Sequence, residues 1–121
     1  NGQSVQLLPE INIKDKDARE VVFKGLKSKS SNPDLLVGKE YVDVKRPSAI
    51  KNITGKANEA SKQGAIALIS DVRLDKPLAD SVINARAKAI LSPKNKEYYQ
   101  FDKVYFNSGN KITTKNTTTD K

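Results

Sequence analysis

Two aspartates and a lysine, Asp34, Asp43 and Lys45, stand where a short hairpin would bring them onto one face. Pro33–Val37 and Glu40–Arg46 are β-rich runs separated by Gly38-Lys39, the pattern of a two-residue hairpin turn. Setting Val37 opposite Glu40 pairs Leu36 with Tyr41, Leu35 with Val42 and Asp34 with Asp43. Side chains alternate along a strand, so Asp34, Leu36, Tyr41, Asp43 and Lys45 share one face and Leu35, Val42 and Val44 the other. The second set is apolar and reads as the core face. Like charges directly across a ladder cost a few tenths to about one kcal/mol, so the two carboxylates need either a neighbouring cation or a use. Three readings follow. Lys45 neutralises a solvated hairpin face. Alternatively, Asp34 and Asp43 hold a divalent ion while Lys45 polarises a water. In the third, the carboxylates tune Lys45 and position a ribose without metal.

The rest of the composition narrows the chemistry. The chain has 121 residues, enough for one domain with a modest core. It contains no His and no Cys, which removes the usual general acid/base, thiolate metal sites, disulfides and every Ser-His or Cys-His nucleophile pair. Chemistry is left to carboxylates, Lys, Arg, Tyr and hydroxyls. Lys and Arg number 22 against 14 acidic residues, giving net charge +8. Such an excess favours a polyanionic partner, because phosphates release counterions when Lys and Arg neutralise them. No stretch has the apolar length of a membrane span and the N-terminus lacks the signal-peptide pattern. Starting at Asn1 without Met, the chain reads as a piece of something longer.

These residues must be positioned by the elements around them. Ser4–Ile11 begins as a strand and is broken by Pro9. Asp17 and Glu20 form a capping box, and Ala18, Val21, Val22 and Leu26 recur at helical spacing to about Lys27, with Gly25 as a weak point. After the hairpin, Ile53, Ala57 and Ala60 line a helix that stops at Gly64. Ala65–Ser70 is apolar on both faces and reads as a buried central strand. Asp75 and Pro77 start a helix carrying Leu78, Val82, Ala85, Ala89 and Ile90, ended by Ser92-Pro93. Phe101–Phe106 is a strand, Asn107–Asn110 a turn, Lys111–Thr114 a closing strand, and residues 115–121 a polar, frayed tail. The order predicts a small α+β domain with helices packed on one largely antiparallel sheet.

Leu7-Leu8-Pro9-Glu10, then Asn32-Pro33-Asp34, Asp43-Val44-Lys45 and the stretch from Asn52 through Ala60 and Gln63 into Ala65–Ser70 resemble, in this order, the toxin domains of contact-dependent growth inhibition proteins. The resemblance runs from about Val5 to Thr113. It implies a nuclease domain exported on a large cell-surface effector and acting in the cytoplasm of the target bacterium. Two nuclease architectures share the pattern. Leu78–Thr114 is similar to the barnase/EndoU/colicin/RelE-like group, whose toxin members include metal-independent tRNases. Pro33-Asp34 with Asp43-Val44-Lys45 is similar to the PD-(D/E)xK signature, which implies magnesium on Asp34 and Asp43, with Glu10 or Glu20 as an upstream acid. Glu10, however, follows a Pro at a strand end, not on a leading helix. The first group, with no cofactor, is the expectation carried forward.

In the metal-free scheme a base takes the proton of a ribose 2′-OH, which attacks the phosphate, and an acid protonates the departing 5′ oxygen. Lys45 beside Arg46 is a candidate base; Asp43 as base with Lys45 stabilising the phosphate's charge is the alternative. Ser48 and Asn52 are placed to hydrogen-bond phosphate or base edges, or to serve as loop and N-cap residues. Lys56 reads as a backbone-phosphate contact. Gln63 and Thr113 read either as further substrate contacts or as surface residues. Tyr41, Tyr98 and Tyr99 could stack bases or pack. The partners implied are tRNA, an immunity protein with an acidic patch and, in some similar toxins, elongation factor Tu. Rival readings are a metal-dependent nuclease acting on DNA or tRNA, and a basic RNA-binding module without catalysis.

Overall fold

The computed structural model describes residues 5–12, 14–26, 33–92 and 102–116. In chain order these form β1 (Val5–Leu7), α1 (Lys16–Val22), β2 (Leu35–Val37), β3 (Glu40–Lys45), a 3-10 turn at Ile50–Asn52, α2 (Ile53–Lys62), β4 (Ile66–Ser70), α3 (Asp80–Ile90), β5 (Lys103–Ser108) and β6 (Lys111–Asn116). The six strands lie in one sheet in sequence order. The class is α+β, and three of the five pairings are antiparallel. The two central ones, β3 with β4 and β4 with β5, are parallel. Parallel neighbours need crossover connections, and α2 and α3 are those crossovers.

The hairpin register is the one that a two-residue turn dictates: Val37 opposite Glu40, Leu36 opposite Tyr41, Leu35 opposite Val42. Gly38 takes φ +61°, the left-handed conformation such turns use and an L side chain resists. At the other end of the sheet, Gly109 and Asn110 both have positive φ and join Ser108 to Lys111.

The expectation about the core face needs correcting. The larger apolar cluster lies on the other side of the sheet, where Ala67, Ile69, Val104 and Phe106 meet Ile53, Ala57 and Ala60 of α2 and Ile83 and Ala87 of α3. Register places Asp43 beside Ala67 and Lys45 beside Ile69, so the two lie on this helix-covered side. Val42 belongs to a smaller cluster with Ile66 and Tyr105 on the opposite side. Small residues at Ala57, Ala60 and Ala67 let α2 approach the sheet closely; strands apolar on both sides are what a parallel centre requires.

Several boundaries also move. The cap of α1 is Asp15, whose Oδ1 accepts the Ala18 amide at 3.3 Å; Asp17 lies within the first turn. The helix ends at Val22 and the chain turns at Gly25, φ +79°. Pro77 and Leu78 precede α3, because the Leu78 amide is held by Ser108 Oγ at 2.7 Å and the chain turns helical only at Asp80. Lys115 and Asn116, expected in the frayed tail, pair with Val104 and Lys103 in β6. Tyr98, Tyr99 and residues 117–121 lie outside the described residues.

Candidate functional site

The site is assembled where the amino end of β2 meets the middle of β3. Asp34 sits one residue before β2, and its amide donates to Val42 O at 3.0 Å. Its carboxylate then takes over from the backbone: Oδ2 accepts the Val44 amide at 2.8 Å. That bond points the Asp34 side chain along β3, beside the Asp43 carboxyl, whose ionisation it disfavours. The paired register ends at Leu35 and Val42, and Asp34 lies just beyond it, its amide bonded to Val42 and not to Asp43.

Asp43 is only 5% exposed, so on this face it is the exposed Asp34, and not Asp43, that meets solvent. Lys45 Nζ lies 3.0 Å from Asp43 Oδ2. The approach is off the line of a hydrogen bond, so that buried oxygen is ion-paired but lacks a directed donor. Burial, first, and the neighbouring Asp34 carboxyl raise the Asp43 pKa to about 6; Lys45 pulls the other way. Asp34 is exposed whereas Asp43 is buried; two neighbouring carboxyls, one of them poorly solvated, can share a proton or share a cation.

The helix α2 forms a second wall. Glu59, which sequence reasoning did not single out, brings Oε1 within 3.6 Å of Lys45 Nζ and 3.8 Å of Lys56 Nζ. Asn52, Lys56, Glu59 and Gln63 are spaced four, three and four residues apart, so they fall on one stripe of the helix and its caps. That spacing was a usable signal: three of the four were candidates already, and Glu59 completes the stripe.

The other candidates are placed less centrally. Arg46 and Ser48 are exposed in the connection after β3. Glu10 is exposed beyond β1, two residues from Leu8, whose amide donates to Asp34 O at 2.9 Å. Glu20 is exposed on α1. Among the described residues no third acidic side chain joins Asp34 and Asp43 closely enough to share an ion. Thr113 pairs with Phe106 on β6, three strands from β3 and thus about 14 Å away at ordinary strand spacing. Tyr41 is a packing residue: its hydroxyl donates to Lys24 O at 2.6 Å, and its ring meets Phe23 edge-on.

The surroundings of Lys45 are anionic. A lysine base would need crowding by other cations or an apolar pocket, whereas Lys45 is approached by Asp43 and Glu59. The arrangement suits an ammonium that stabilises charge and two carboxyls that take a proton or a cation.

No protein-family model matches the chain, and no curated protein matches it. Among solved structures, a chain of the CdiA-CT/CdiI toxin and immunity complex from Burkholderia pseudomallei is similar, with a TM-score of 0.56 and 18% identity over 95% of this chain and 73% of that one. The chain therefore shares the fold of a component of a toxin and immunity complex.

Proposed function

We propose that the chain is the nuclease domain of a growth-inhibiting toxin, and that it cleaves phosphodiester bonds at Asp34, Asp43 and Lys45 with the help of a divalent cation. The observation that carries this reading is the buried Asp43 carboxyl with the Asp34 carboxyl beside it and Lys45 at 3.0 Å. The fold likeness to a toxin and immunity complex supports the toxin part, and the +8 charge supports a nucleic-acid substrate.

The residues fit magnesium: the ion is commonly bound by one or two carboxylates, with waters and substrate phosphates as the remaining ligands. Asp34 and Asp43 would hold it, and when bound it would polarise the phosphate and stabilise the departing oxygen. The protein's own part is positional and electrostatic. The Val44 amide fixes the Asp34 carboxylate, α2 keeps water from Asp43, and the Lys45 ammonium stabilises charge building on the phosphate.

A second reading keeps the metal-free scheme. With its pKa raised to about 6, Asp43 lies near the range suited to a general base at neutral pH and would take the ribose 2′-OH proton while Lys45 stabilises the phosphate. In either scheme we assign tRNA as substrate, an immunity protein with an acidic patch as neutralising partner, and the cytoplasm of the target cell as the place of action. Delivery of tRNA by elongation factor Tu belongs to the same proposal. Incubating the domain with total tRNA and with plasmid DNA, each with and without EDTA, separates the schemes. Cleavage abolished by EDTA supports the cation, and cleavage of tRNA that survives EDTA supports Asp43 as base. If neither substrate is cut, the nuclease reading fails and a binding module replaces it.

A further inference from the structure

The two ammonium groups of Lys45 and Lys56 converge on a single oxygen. Glu59 Oε1 is 3.6 Å from one and 3.8 Å from the other. The lysines come from different elements, β3 and α2, so the convergence is made by the fold and not by helix spacing alone. The three differ in exposure: the Lys45 side chain is 15% exposed, that of Lys56 40% and that of Glu59 54%. The carboxylate is therefore the most exposed member of the trio, and its negative charge sits where two cations would otherwise receive an anion from solution.

We propose that Lys45 and Lys56 form a phosphate subsite that Glu59 occupies in the free protein, so that Glu59 is a specificity-determining residue which nucleic acid must displace. This rests on the proposed nuclease reading and names the part of the site that receives the backbone. A phosphodiester oxygen replaces the carboxylate between the two ammonium groups, and Glu59 swings into solvent, which its exposure allows. The consequence is counter-intuitive for a residue that touches the site: removing its charge strengthens binding.

The test is binding, measured without turnover. The probe is a short fluorescein-labelled single-stranded DNA in EDTA, which lacks the 2′-OH and leaves no cation for cleavage. Anisotropy titrations compare the wild type with Glu59→Gln, Lys56→Met, the double variant and Glu20→Gln, which makes the same charge change on exposed α1. Glu59→Gln should tighten binding about threefold to fivefold, the worth of roughly one additional phosphate contact, and steepen the salt dependence by close to one contact. Glu20→Gln should change affinity by less than about twofold, since an exposed charge remote from the contact is screened. The gain should vanish when Lys56→Met is added to Glu59→Gln. A Glu59→Gln gain no larger than that of Glu20→Gln, or one that persists in the double variant, overturns the subsite. The substitutions lie on α2 and, for Glu20, on exposed α1, and circular dichroism spectra check that each variant is folded. Lack of cleavage by the wild type would remove the nuclease reading but would leave this binding cycle interpretable.

Discussion

The Asp34 side chain completes the ladder of the neighbouring strand: its Oδ2 accepts the Val44 amide at 2.8 Å, one residue beyond Asp43. A single carboxylate thus has a structural bond on one oxygen and the Asp43 carboxyl beside it. The two roles separate by substitution. Asp34→Asn keeps an oxygen acceptor for the Val44 amide and should be nearly as stable as the wild type. Asp34→Ala should lose about 1–2 kcal/mol in urea unfolding, the worth of a hydrogen bond to a charged group. Both should lower cleavage at least a hundredfold under the cation reading. Full activity in Asp34→Asn would remove Asp34 from the chemistry.

Asp43 gives a pH signature with a definite sign. Its folded pKa is raised to about 6 from the ordinary 3.8 of an aspartate, so its ionisation weakens the fold. The penalty is absent below about pH 4, grows as pH rises through 4 to 6, and is complete above that window. Asp43→Asn should therefore gain on the wild type as pH rises from 4 to 7, by on the order of 1–3 kcal/mol. Urea midpoints at the two pH values read this directly. A difference that is the same at both would mean that Asp43 ionises as an ordinary surface carboxylate.

Magnesium should stabilise the fold through the same pair. A ligand that binds only the native state raises stability with its concentration, so millimolar magnesium should raise the wild-type unfolding temperature by a few degrees. The Asp34→Asn and Asp43→Asn variants should show no such rise. An equal rise in all three would place the ion elsewhere.

Ser108 should matter to the fold and not to the chemistry. Its buried hydroxyl accepts the Leu78 amide at 2.7 Å and donates to Asp71 Oδ2 at 2.9 Å. Ser108→Ala leaves a buried amide without its acceptor, at a cost of about 1–3 kcal/mol. Cleavage per folded molecule should be unchanged well below the unfolding temperature. A loss of cleavage in fully folded Ser108→Ala would tie this clasp to the site.

How much of this was written locally can be judged from the hairpin. Gly38-Lys39 between two β-rich runs set a two-residue turn, and that turn set the register through Leu35 and Val42. From strand alternation followed the shared face of Asp43 and Lys45, without any long-range information, whereas Asp34 lies just beyond the paired register. The elements α2 and β4 were similarly legible, because apolar spacing and Gly64 mark them in the chain itself.

What the chain did not reveal locally was which side of that hairpin would be covered. Alternation produces two faces, and here the polar one also carries the contacts to α2. The core formed above it because Ala67 and Ile69 on β4 and Val104 and Phe106 on β5 present a wider apolar surface to the helices than the hairpin's own Leu35 and Val42. Local sequence determined the composition and register of the Asp34–Asp43–Lys45 group. Only the tertiary structure buried Asp43 beneath a helix, brought Glu59 and Lys56 to Lys45, and placed Thr113 three strands away. Periodicity fixes which residues share a face, but the burial of a face depends on apolar area contributed by segments far apart in the chain.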